Sequence, residues 1–588
     1  MGDNFEEVKN EKVERAGGYI SEIEFNTGET VKIEQNDIVV FVGPNNAGKS
    51  QALKDIYALC KNASPSIVVS EVKLEKNNVE LTPFLEKIAT SKEAGNHIAF
   101  SAMGTNVKVF SFTENDYNKK AKYEDFRDFF VANLDTAARL SICNPVENIA
   151  RDENRKHPIH YAAFDEKYAK WLSDNYRKAF GERIIPNSLF GGKIPLCIGE
   201  EINIADETDF QKIIYEGAKT LEKYKQVQDQ GDGIKSFTGI LLYLMLDYYS
   251  TFLIDEPESF LHPPQANIMG QIIGESLAED QQAFISTHSE EIIKGLMSVC
   301  PKRIKIVRIT REKNINTFSV LENDKFNEIW NDSLLKHSNI MNSLFHKQVI
   351  LCESDSDCKL YSIIESYLLK KENKYSETLY IHCGGKQRMA KIANALKSLN
   401  IQTRLIPDID VLNDQEVFKG IVEAFGIEWD NIKRNYNILV SNLHSSKERI
   451  KRNEAEVLIN NVLSSSKEAY LSNKEIESIR SAIKTISKWG TLKENGKNAV
   501  PRGDATTAFG EIDAQLKEHG IYMVPVGELE NFVKEVGGLH GPAWVNEVLE
   551  KYPDLEDSIY DEIKNFITTV ISHIEKKNGS TTEMDISN

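Results

Sequence analysis

A loop near the start of the chain has the residue types and spacing of a phosphate-binding site. Gly43-Pro44-Asn45-Asn46-Ala47-Gly48-Lys49-Ser50 matches the pattern G-x-x-x-x-G-K-[S/T], between a predicted buried strand (Ile38 to Val42) and a predicted helix (Gln51 to Cys60). Glycines there let backbone N–H groups close around phosphates, while the lysine reaches the terminal phosphates and the serine hydroxyl binds Mg²⁺. We therefore predict an ATP site with Ser50 as a Mg²⁺ ligand. Its expected binding residues are Gly43, Asn45, Asn46, Gly48, Lys49, Ser50 and Gln51.

A second apolar strand ends in an acidic pair. The segment Phe252-Leu253-Ile254-Asp255-Glu256 resembles the Walker B strand of the ABC superclass of ATPases. This resemblance implies that Asp255 binds Mg²⁺ and the nucleotide, and that Glu256 orients and deprotonates the attacking water. About thirty residues later, Ser286-Thr287-His288-Ser289 resembles the switch segment of these ATPases, in which His288 would contact the γ-phosphate. Each segment alone is compatible with a purely structural role, but their order after the phosphate loop favours an ATPase.

Upstream of the acidic pair, a glycine-rich segment opens a predicted helix. Gly231-Asp232-Gly233-Ile234-Lys235-Ser236 resembles the signature loop of the same superclass, which implies nucleotide contacts by Gly231, Gly233 and Ser236. In that superclass the loop closes over ATP bound by a second subunit, so the resemblance also implies a homodimer or larger homo-oligomer through the ATPase domains. A turn followed by a helix cap would explain the same residues.

Carboxylates in the second half of the chain follow predicted strands. Glu353 and Asp357 lie just after the apolar segment Lys347 to Cys352, although Ser354 or Asp355 could also be a helix cap there. Asp408 and Asp410 end another apolar strand, and a spacing of two places both side chains on one face. Like charges this close are unfavourable unless cations neutralise them. Because oxygen ligands suit Mg²⁺ or Mn²⁺, we predict a site for these ions.

A third apolar segment, Ile521 to Val526, ends in Glu528 and Glu530. If all three segments are neighbouring strands of one sheet, their acidic residues meet at its carboxyl edge. The order of a Glu, then Asp-x-Asp, then a distant acid resembles the Toprim domain. An ABC-type ATPase followed by Toprim in one chain resembles the OLD (overcoming lysogenization defect) family, which includes antiphage effectors of Gabija and some retron systems. The resemblance covers roughly residues 18 to 60, 230 to 310 and 347 to 535.

The OLD resemblance implies an ATP-regulated endonuclease that cuts DNA, with duplex DNA favoured. Glu353 and Asp357 would be metal ligands or general base, Asp408 and Asp410 metal ligands, and Glu528, less probably Glu530, would complete a two-metal site. The family also uses a late basic residue near the scissile phosphate. Lys534 and Lys551 are candidates for it, and the sequence does not distinguish between them. The resemblance further implies a role in antiphage defence and a possible companion protein or non-coding RNA or DNA.

Strand and helix signals alternate in both halves, which predicts an α/β fold. We expect an ABC-type ATPase domain at 1–345 with a helical insertion at about 61–225. A Toprim (Rossmann-like) domain would follow at 346–540, with a helical insertion at about 413–510. Residues 541–588 are predicted to be a helical segment with a disordered tail. Further predictions are a hairpin around Asn26 to Gly28 and helices from Tyr123 to Leu140 and from Glu166 to Phe180.

Composition narrows the possible functions. The formal charge of −18 excludes a surface covered in basic patches, so nucleic-acid contact requires a local cluster, for which Lys386, Arg388 and Lys391 are candidates. The seven cysteines form no CxxC pair, which favours reduced thiols. No membrane segment or secretory signal is apparent, so we expect a cytoplasmic protein without a membrane partner. The alternative function is a RecF- or SMC-like DNA-binding repair ATPase with a non-cleaving Toprim module.

Overall fold

A computed structural model gives the fold of this chain in two compact units, one within residues 1–330 and one within 331–588. Both contain helices and strands, so the protein is of the mixed α/β class. The structure describes residues 14–61, 67–102, 104–151, 153, 155–189, 191–200, 209–312, 315–321, 323–332, 339–444, 452–464, 468, 470–472, 475–476, 478–479, 488–537 and 539–578.

The first unit is built on a six-stranded sheet with the order β17-β16-β3-β15-β14-β8. All neighbours in this sheet are parallel except the edge pair β16 and β17. The strands of the unit are β1 (Gly18–Phe25), β2 (Thr30–Lys32), β3 (Ile38–Val42), β4 (Val69–Lys76), β5 (Thr90–Ala94), β6 (His97–Ala102), β7 (Thr105–Phe110), β8 (Val131–Leu134), β9 (Val146–Glu147), β10 (Arg183–Pro186), β11 (Lys193–Ile194), β12 (Leu196–Gly199), β13 (Lys225–Gln226), β14 (Thr251–Asp255), β15 (Gln282–Ser286), β16 (Ile304–Glu312) and β17 (Ile315–Val320).

Helices cover the sheet and connect its strands. They are α1 (Lys49–Leu59), α2 (Leu81–Ile88), α3 (Thr113–Lys119), α4 (Arg127–Phe130), α5 (Thr136–Ser141), α6 (Pro158–Phe164), α7 (Glu166–Phe180), α8 (Phe210–Leu221), α9 (Asp232–Leu244), α10 (Pro263–Ser276), α11 (Glu290–Val299) and α12 (Asn323–Asn331). The central strands of the sheet are buried on both faces: every residue of β3 and of β15 is buried. This burial explains the continuous apolar run of β3 and the apolar centre of β15, Ala283 to Ile285.

Several sequence predictions for this unit are confirmed. β3 coincides with the predicted buried strand, α7 with the predicted helix from Glu166 to Phe180, and β1 pairs antiparallel with β2 around the predicted turn. The predicted helix from Tyr123 to Leu140 is wrong. That segment contains two short helices separated by β8, which pairs parallel with β14 as an edge strand of the main sheet. The apolar contacts of that sheet outweigh the helical periodicity of the local sequence.

The second unit has a three-stranded parallel sheet with the order β19-β18-β20. Its strands are β18 (Gln348–Cys352), β19 (Thr378–His382) and β20 (Gln402–Ile406). Its helices are α13 (Asp355–Lys371), α14 (Met389–Ser398), α15 (Gln415–Ala424), α16 (Trp429–His444), α17 (Arg452–Ser464), α18 (Lys488–Asn495), α19 (Asp504–Glu518), α20 (Pro542–Lys551) and α21 (Asp561–Asn578). The central strand β18 is buried along its whole length, and its apolar core extends to Trp544 and Tyr560 near the C-terminus.

The apolar segment from Ile521 to Val526 lies beside β20 as an extended chain. It forms one parallel bridge, Leu405 to Ile521, and the N–H groups of Tyr522 and Val524 donate to the carbonyls of Leu405 (2.8 Å) and Pro407 (3.0 Å). The strand predicted over Ile521 to Val526 is thus an extended segment with a single bridge to β20 and not a regular strand. It brings Glu528 to the sheet edge where β18 and β20 end. The elements described within the predicted insertion at about 413–510 are all helices, joined by turns and loops. Most of the predicted tail lies outside the described residues.

All seven cysteines are free, as expected, and six of them are buried. None of the helices in the described part of the chain is both long enough and apolar enough to span a membrane.

Candidate functional site

The phosphate loop lies at the carboxyl edge of the six-stranded sheet, between β3 and α1. Gly43 has φ +142°, and a β-carbon there would lie 1.9 Å from the Ile309 carbonyl oxygen, so this close approach requires glycine. The buried Lys49 Nζ donates to the carbonyl oxygens of Gly43 (2.9 Å) and Pro44 (2.8 Å). Burial lowers the pKa of Lys49 to about 8, against the attraction of Glu256, Glu258 and Asp255.

The other predicted loop residues differ in their surroundings. Asn45 and Asn46 are exposed, and Ser50 is partly exposed at the first turn of α1. Gln51 instead binds within its own helix, since its Nε2 donates to Asp55 Oδ1 at 2.8 Å. The loop is also held by Asn316 of β17, whose buried side chain donates to the Ala47 carbonyl. Sequence patterns did not single out Asn316, because it lies far along the chain in an ordinary edge strand.

Asp255, Glu256 and His288 meet at the ends of β14 and β15. The Ser286 hydroxyl donates to Asp255 Oδ1, and His288 Nε2 lies 3.7 Å from Glu256 Oε1. Glu256 has φ +47°, a left-handed conformation that is strained for a residue with a β-carbon. Burial and the nearby Lys49 lower the pKa of His288, against the attraction of Glu256 and Asp255. These contacts join the acidic pair and the histidine into one charged group beside Lys49.

One acid at this edge was not predicted. Glu258 Oε1 accepts a hydrogen bond from the His288 N–H at 2.6 Å, and burial raises the pKa of Glu258. Glu258 therefore fixes the backbone of the histidine segment.

The signature-like segment opens α9. Gly231 caps this helix, and a β-carbon on Gly233 would lie 2.5 Å from the Phe260 carbonyl oxygen. Ser236 is fully buried within the helix. Gly233 thus allows the start of α9 to contact the loop that follows the acidic pair.

In the second unit, three of the predicted acids come together at the sheet edge. Glu353 follows β18 and Asp408 and Asp410 follow β20, and one carboxylate oxygen from each lies within 4.8 Å of the others. Burial, together with repulsion from Glu353, Asp357 and Asp410, raises the pKa of Asp408 well above its usual value. Burial also raises the pKa of Glu353, again with repulsion from Asp410. The three carboxylates therefore concentrate negative charge at a partly buried site with little access to solvent.

This group of three, the acidic centre, has the oxygen donors that a hard divalent cation requires. The buried atom Glu353 Oε2 has no hydrogen-bond partner among the described residues, and Asp410 Oδ1 forms only an ion pair, with Lys386 at 3.2 Å. A bound cation would relieve the mutual repulsion and satisfy the free acceptor of Glu353, so the residues fit a divalent cation.

The other two predicted acids lie next to the acidic centre. Asp357 closes a capping box with Ser354, whose N–H donates to Asp357 Oδ2 at 2.7 Å, so the helix-cap interpretation holds for this pair. Glu528 belongs to a second group of potential ligand atoms, with Glu530 and His540, all within 4.8 Å of one another. Repulsion between Asp357 and Glu530 is one reason, after burial, that the pKa of Asp357 is raised.

Two lysines bind the acidic centre. Lys386 Nζ lies 3.2 Å from Asp410 Oδ1, and Lys493 Nζ lies 3.0 Å from Glu528 Oε2 and 4.0 Å from Asp410 Oδ2. Burial lowers the pKa of Lys493, but its hydrogen bond to Glu528 and the attraction of Asp410 outweigh this and raise it. Lys493 belongs to none of the sequence motifs and comes from the predicted insertion. Of the predicted basic cluster, Lys391 is paired with Asp332 at 2.5 Å.

Part of each unit is similar to a known protein family. Residues 144–294 match a family model described as "AAA domain, putative AbiEii toxin, Type IV TA system". Residues 344–410, which include Glu353, Asp408 and Asp410, match the model "Overcoming lysogenization defect protein-like, TOPRIM domain". A curated relative, the Old nuclease of Escherichia phage P2, is 20% identical over 312 residues, which are 52% of this chain and 49% of the relative. These matches support an OLD-family ATPase–Toprim protein.

The chain spans about half the length of the curated OLD relative that it matches. Among solved structures, an SMC head from Thermotoga maritima matches with a TM-score of 0.27 at 13% identity, covering 52% of this chain and 99% of that one. An SMC head from Pyrococcus furiosus, bound to the C-terminal domain of ScpA, matches with a TM-score of 0.30 at 11% identity, covering 53% and 98%.

In the second unit the buried charge of Asp408 should lower the stability of the metal-free protein. We expect Asp408→Asn to raise the melting temperature of the metal-free second unit by about 2–4 °C for each kcal/mol of repulsion removed. The pKa of Asp408 is raised in the folded state, so the destabilisation appears as pH rises above the unfolded value of about 4 and is absent below it. Melting curves in EDTA at several pH values test this.

The matched control for Asp408→Asn is Asp513→Asn. Asp513 belongs to the same unit but is paired with Lys517 at 2.5 Å. Its replacement should leave the melting temperature unchanged or lower it. An equal rise in both variants, or no dependence on pH, would contradict the repulsion argument.

Proposed function

We propose that this chain is an ATP-regulated, divalent-metal-dependent DNA endonuclease. The observation that carries the proposal is the convergence of Glu353, Asp408 and Asp410 within 4.8 Å at one sheet edge, in a segment that matches the OLD-like Toprim model. These residues follow two different strands, β18 and β20, and repulsion opposes their approach. Lys386 and Lys493 offset part of this charge, but a group of converging carboxylate oxygens is what a divalent metal site requires.

In the nuclease half, Glu353, Asp408 and Asp410 would hold one divalent cation, and Glu528 with Glu530 and His540 would be the neighbouring ligands. When bound, such cations lower the pKa of a water molecule and stabilise the leaving oxygen of a phosphodiester. Asp357 orients the start of α13 through its capping box beside these groups. The raised pKa of Asp357 also suits a group that exchanges a proton near the site. Asp357 would therefore be either a metal ligand or the general base.

In the ATPase half, Lys49 and the backbone of the phosphate loop would bind the β- and γ-phosphates. The hydroxyl of Ser50 and the carboxylate of Asp255 would bind Mg²⁺. Glu256 would orient and deprotonate the attacking water, with His288 at the γ-phosphate, because these two side chains lie 3.7 Å apart and next to Lys49. The loss of the γ-phosphate would then change the surroundings of both residues.

The OLD resemblance extends the proposal to assembly and biology. The signature residues Gly231 and Gly233 support a homo-oligomer in which each ATPase unit completes its partner's nucleotide site. The predicted contact by Ser236 is not supported, because its side chain is fully buried within α9. An antiphage role, with a companion protein or nucleic acid, rests on that resemblance alone. A cytoplasmic location is compatible with both the proposed assembly and the antiphage role.

The experiment that tests the proposal is cleavage of plasmid DNA by the purified full-length protein, titrated with Mg²⁺ or Mn²⁺ and with ATP. Metal-dependent conversion to nicked or linear DNA is the expected result. DNA binding and ATP hydrolysis without cleavage under every condition would overturn the nuclease proposal and favour the RecF- or SMC-like alternative.

Lys493 is the residue that we propose for the late basic position, in place of Lys534 and Lys551. Its ammonium lies between the acidic centre and Glu528, where the phosphate backbone would approach the cations. Lys493→Gln should lower the cleavage rate about a hundredfold, because one preorganised positive group is lost. The measurement is the cleavage rate at saturating Mg²⁺.

The control is Lys497→Gln, four residues further along the same segment. The exposed Lys497 is held there by its backbone, whose N–H donates to the Pro525 carbonyl at 2.9 Å. This variant should cleave at nearly the normal rate. Equal rates for Lys493→Gln and the wild type would show that the basic residue lies elsewhere.

A further inference from the structure

A fully buried arginine lies under the ATPase site, in a segment that no motif marked. Arg139 has no exposed surface and belongs to α5, which follows directly from β8. Because β8 pairs in register with β14, with Leu134 opposite Ile254, the start of α5 lies next to Asp255. The edge strand β8, in a segment predicted to be helical, therefore places Arg139 next to the proposed nucleotide site.

The guanidinium of Arg139 is poorly satisfied for a buried charge. Its Nη1 donates to the backbone carbonyl of Asp255, and its Nη2 donates to Thr136 Oγ1 at 3.3 Å. Its Nε is buried without a hydrogen-bond partner among the described residues. Burial lowers the pKa of Arg139, although the carboxylates of Asp255, Glu258 and Glu256 attract the charge. Such a group is costly to bury and needs a reason beyond packing.

The contact with Asp255 supplies that reason, because of the peptide group it holds. The peptide between Asp255 and Glu256 has its carbonyl bound by Arg139, while its N–H donates to the Ser286 carbonyl at 2.9 Å. The next residue, Glu256, has the strained φ of +47° that aims its side chain at His288. Both polar groups of this peptide are thus fixed, and the direction of the Glu256 carboxylate depends on them.

The same segment contacts the helix that begins with the signature-like loop. A β-carbon on Gly239 of α9 would lie 2.2 Å from the Arg139 carbonyl oxygen, so α5 and α9 pack too closely for any side chain at position 239. Cys143, just beyond α5, donates from its thiol to the Lys235 carbonyl at 3.2 Å. A shift of α9 therefore moves the backbone of Arg139 directly.

We infer that Arg139 is a positioning residue of the ATPase site, which orients the Asp255–Glu256 peptide and couples it to the position of α9. The inference rests on the proposed ATPase function and adds a route by which closure at the signature-like loop sets the geometry of Glu256. It assigns Arg139 no contact with the nucleotide. Its loss should therefore affect the hydrolytic step and leave ATP binding nearly unchanged.

Steady-state ATP hydrolysis by Arg139→Met and Arg139→Lys in the full chain tests the inference. Arg139→Met should lower kcat about tenfold to a hundredfold with KM within about twofold, because the general base is misplaced while the phosphate loop stays intact. Arg139→Lys keeps a cation that can reach the Asp255 carbonyl, so it should recover part of kcat.

Arg303→Met is the matched control. Arg303 is a half-buried arginine that lies at the opposite, amino edge of the same sheet. Its hydrogen bonds within the described residues go to the backbone carbonyls of Asn36, Leu277, Ala278 and Gln281. This variant should lose thermal stability as Arg139→Met does but keep the wild-type kcat. A loss of kcat that follows melting temperature equally in both variants would overturn the inference.

Thr136→Val covers the case in which Arg139→Met does not fold. It removes the Nη2 acceptor and loosens the guanidinium, so kcat should fall a few-fold at constant KM. Unchanged kcat in both Thr136→Val and Arg139→Lys would also overturn the inference. A wild-type protein that turns over no ATP would instead contradict the proposed function, so the two failures are distinguishable.

Discussion

Replacement of Asp408 by alanine is expected to reduce DNA cleavage by about a thousandfold or more. Asp408 is the most strongly perturbed member of the acidic centre, since burial and three neighbouring carboxylates raise its pKa. Without it the remaining oxygens of Glu353 and Asp410 cannot enclose a cation. A divalent metal contributes several kcal/mol to a phosphodiester transition state. Every increase of about 1.4 kcal/mol in the activation free energy lowers the rate tenfold, so the loss of several kcal/mol gives the expected effect.

The rate of plasmid cleavage in saturating Mn²⁺ or Mg²⁺ measures this effect. Two controls separate it from misfolding. ATP hydrolysis by Asp408→Ala should equal that of the wild type, because the phosphate loop and Glu256 belong to the other unit. Asp513→Ala, in the same unit but paired with Lys517, should cleave normally. Cleavage by Asp408→Ala at the wild-type rate would show that the acidic centre does not hold the catalytic metal.

The parts of both sites that sequence predicts are those set by local pattern. The phosphate loop and the acids at the ends of β14 and β18 follow largely apolar runs, and such runs form buried parallel strands almost regardless of context. The acids after β20 follow a strand that is buried beyond Gln402 but apolar only at Leu405 and Ile406. Once those strands share a sheet, their carboxyl ends meet at one edge. The approach of Glu353 to Asp408 and Asp410 is therefore predictable without knowing the rest of the chain.

Residues that depend on packing between distant segments were not predictable. Lys493 reaches Glu528 because a helix of the insertion rests on the loop at Gly527, where a β-carbon would lie 1.9 Å from the Lys493 carbonyl. Asn316 and Arg139 bind backbone carbonyls, which carry no sequence signal. For Asp357, a helix cap and a metal ligand use the same residue type at the same place, and only the hydrogen bonds to Ser354 reveal the cap.

Replacement of Glu256 by glutamine is expected to reduce ATP hydrolysis by about a hundredfold or more while ATP still binds. General-base catalysis contributes about a hundredfold to ten-thousandfold, and glutamine keeps the size of the side chain but cannot accept the proton. The hydrogen bond from the Ser259 hydroxyl to Glu256 Oε2 (3.1 Å) can be kept by the amide oxygen, so the strained backbone there should be preserved. Single-turnover hydrolysis and a separate ATP-binding measurement test both halves of this expectation.

Lys49→Ala is the complementary variant, because it removes the group that reaches the terminal phosphates and should weaken ATP binding itself. Nuclease assays of Glu256→Gln and Lys49→Ala in the presence of ATP then show whether bound ATP activates or inhibits DNA cleavage. Faster cleavage by Glu256→Gln than by the wild type, with slower cleavage by Lys49→Ala, means that bound ATP permits cleavage. The reverse order means that bound ATP suppresses cleavage and that hydrolysis releases the nuclease. Equal cleavage by both variants and the wild type would contradict ATP regulation, and would leave the acidic centre as an independent nuclease.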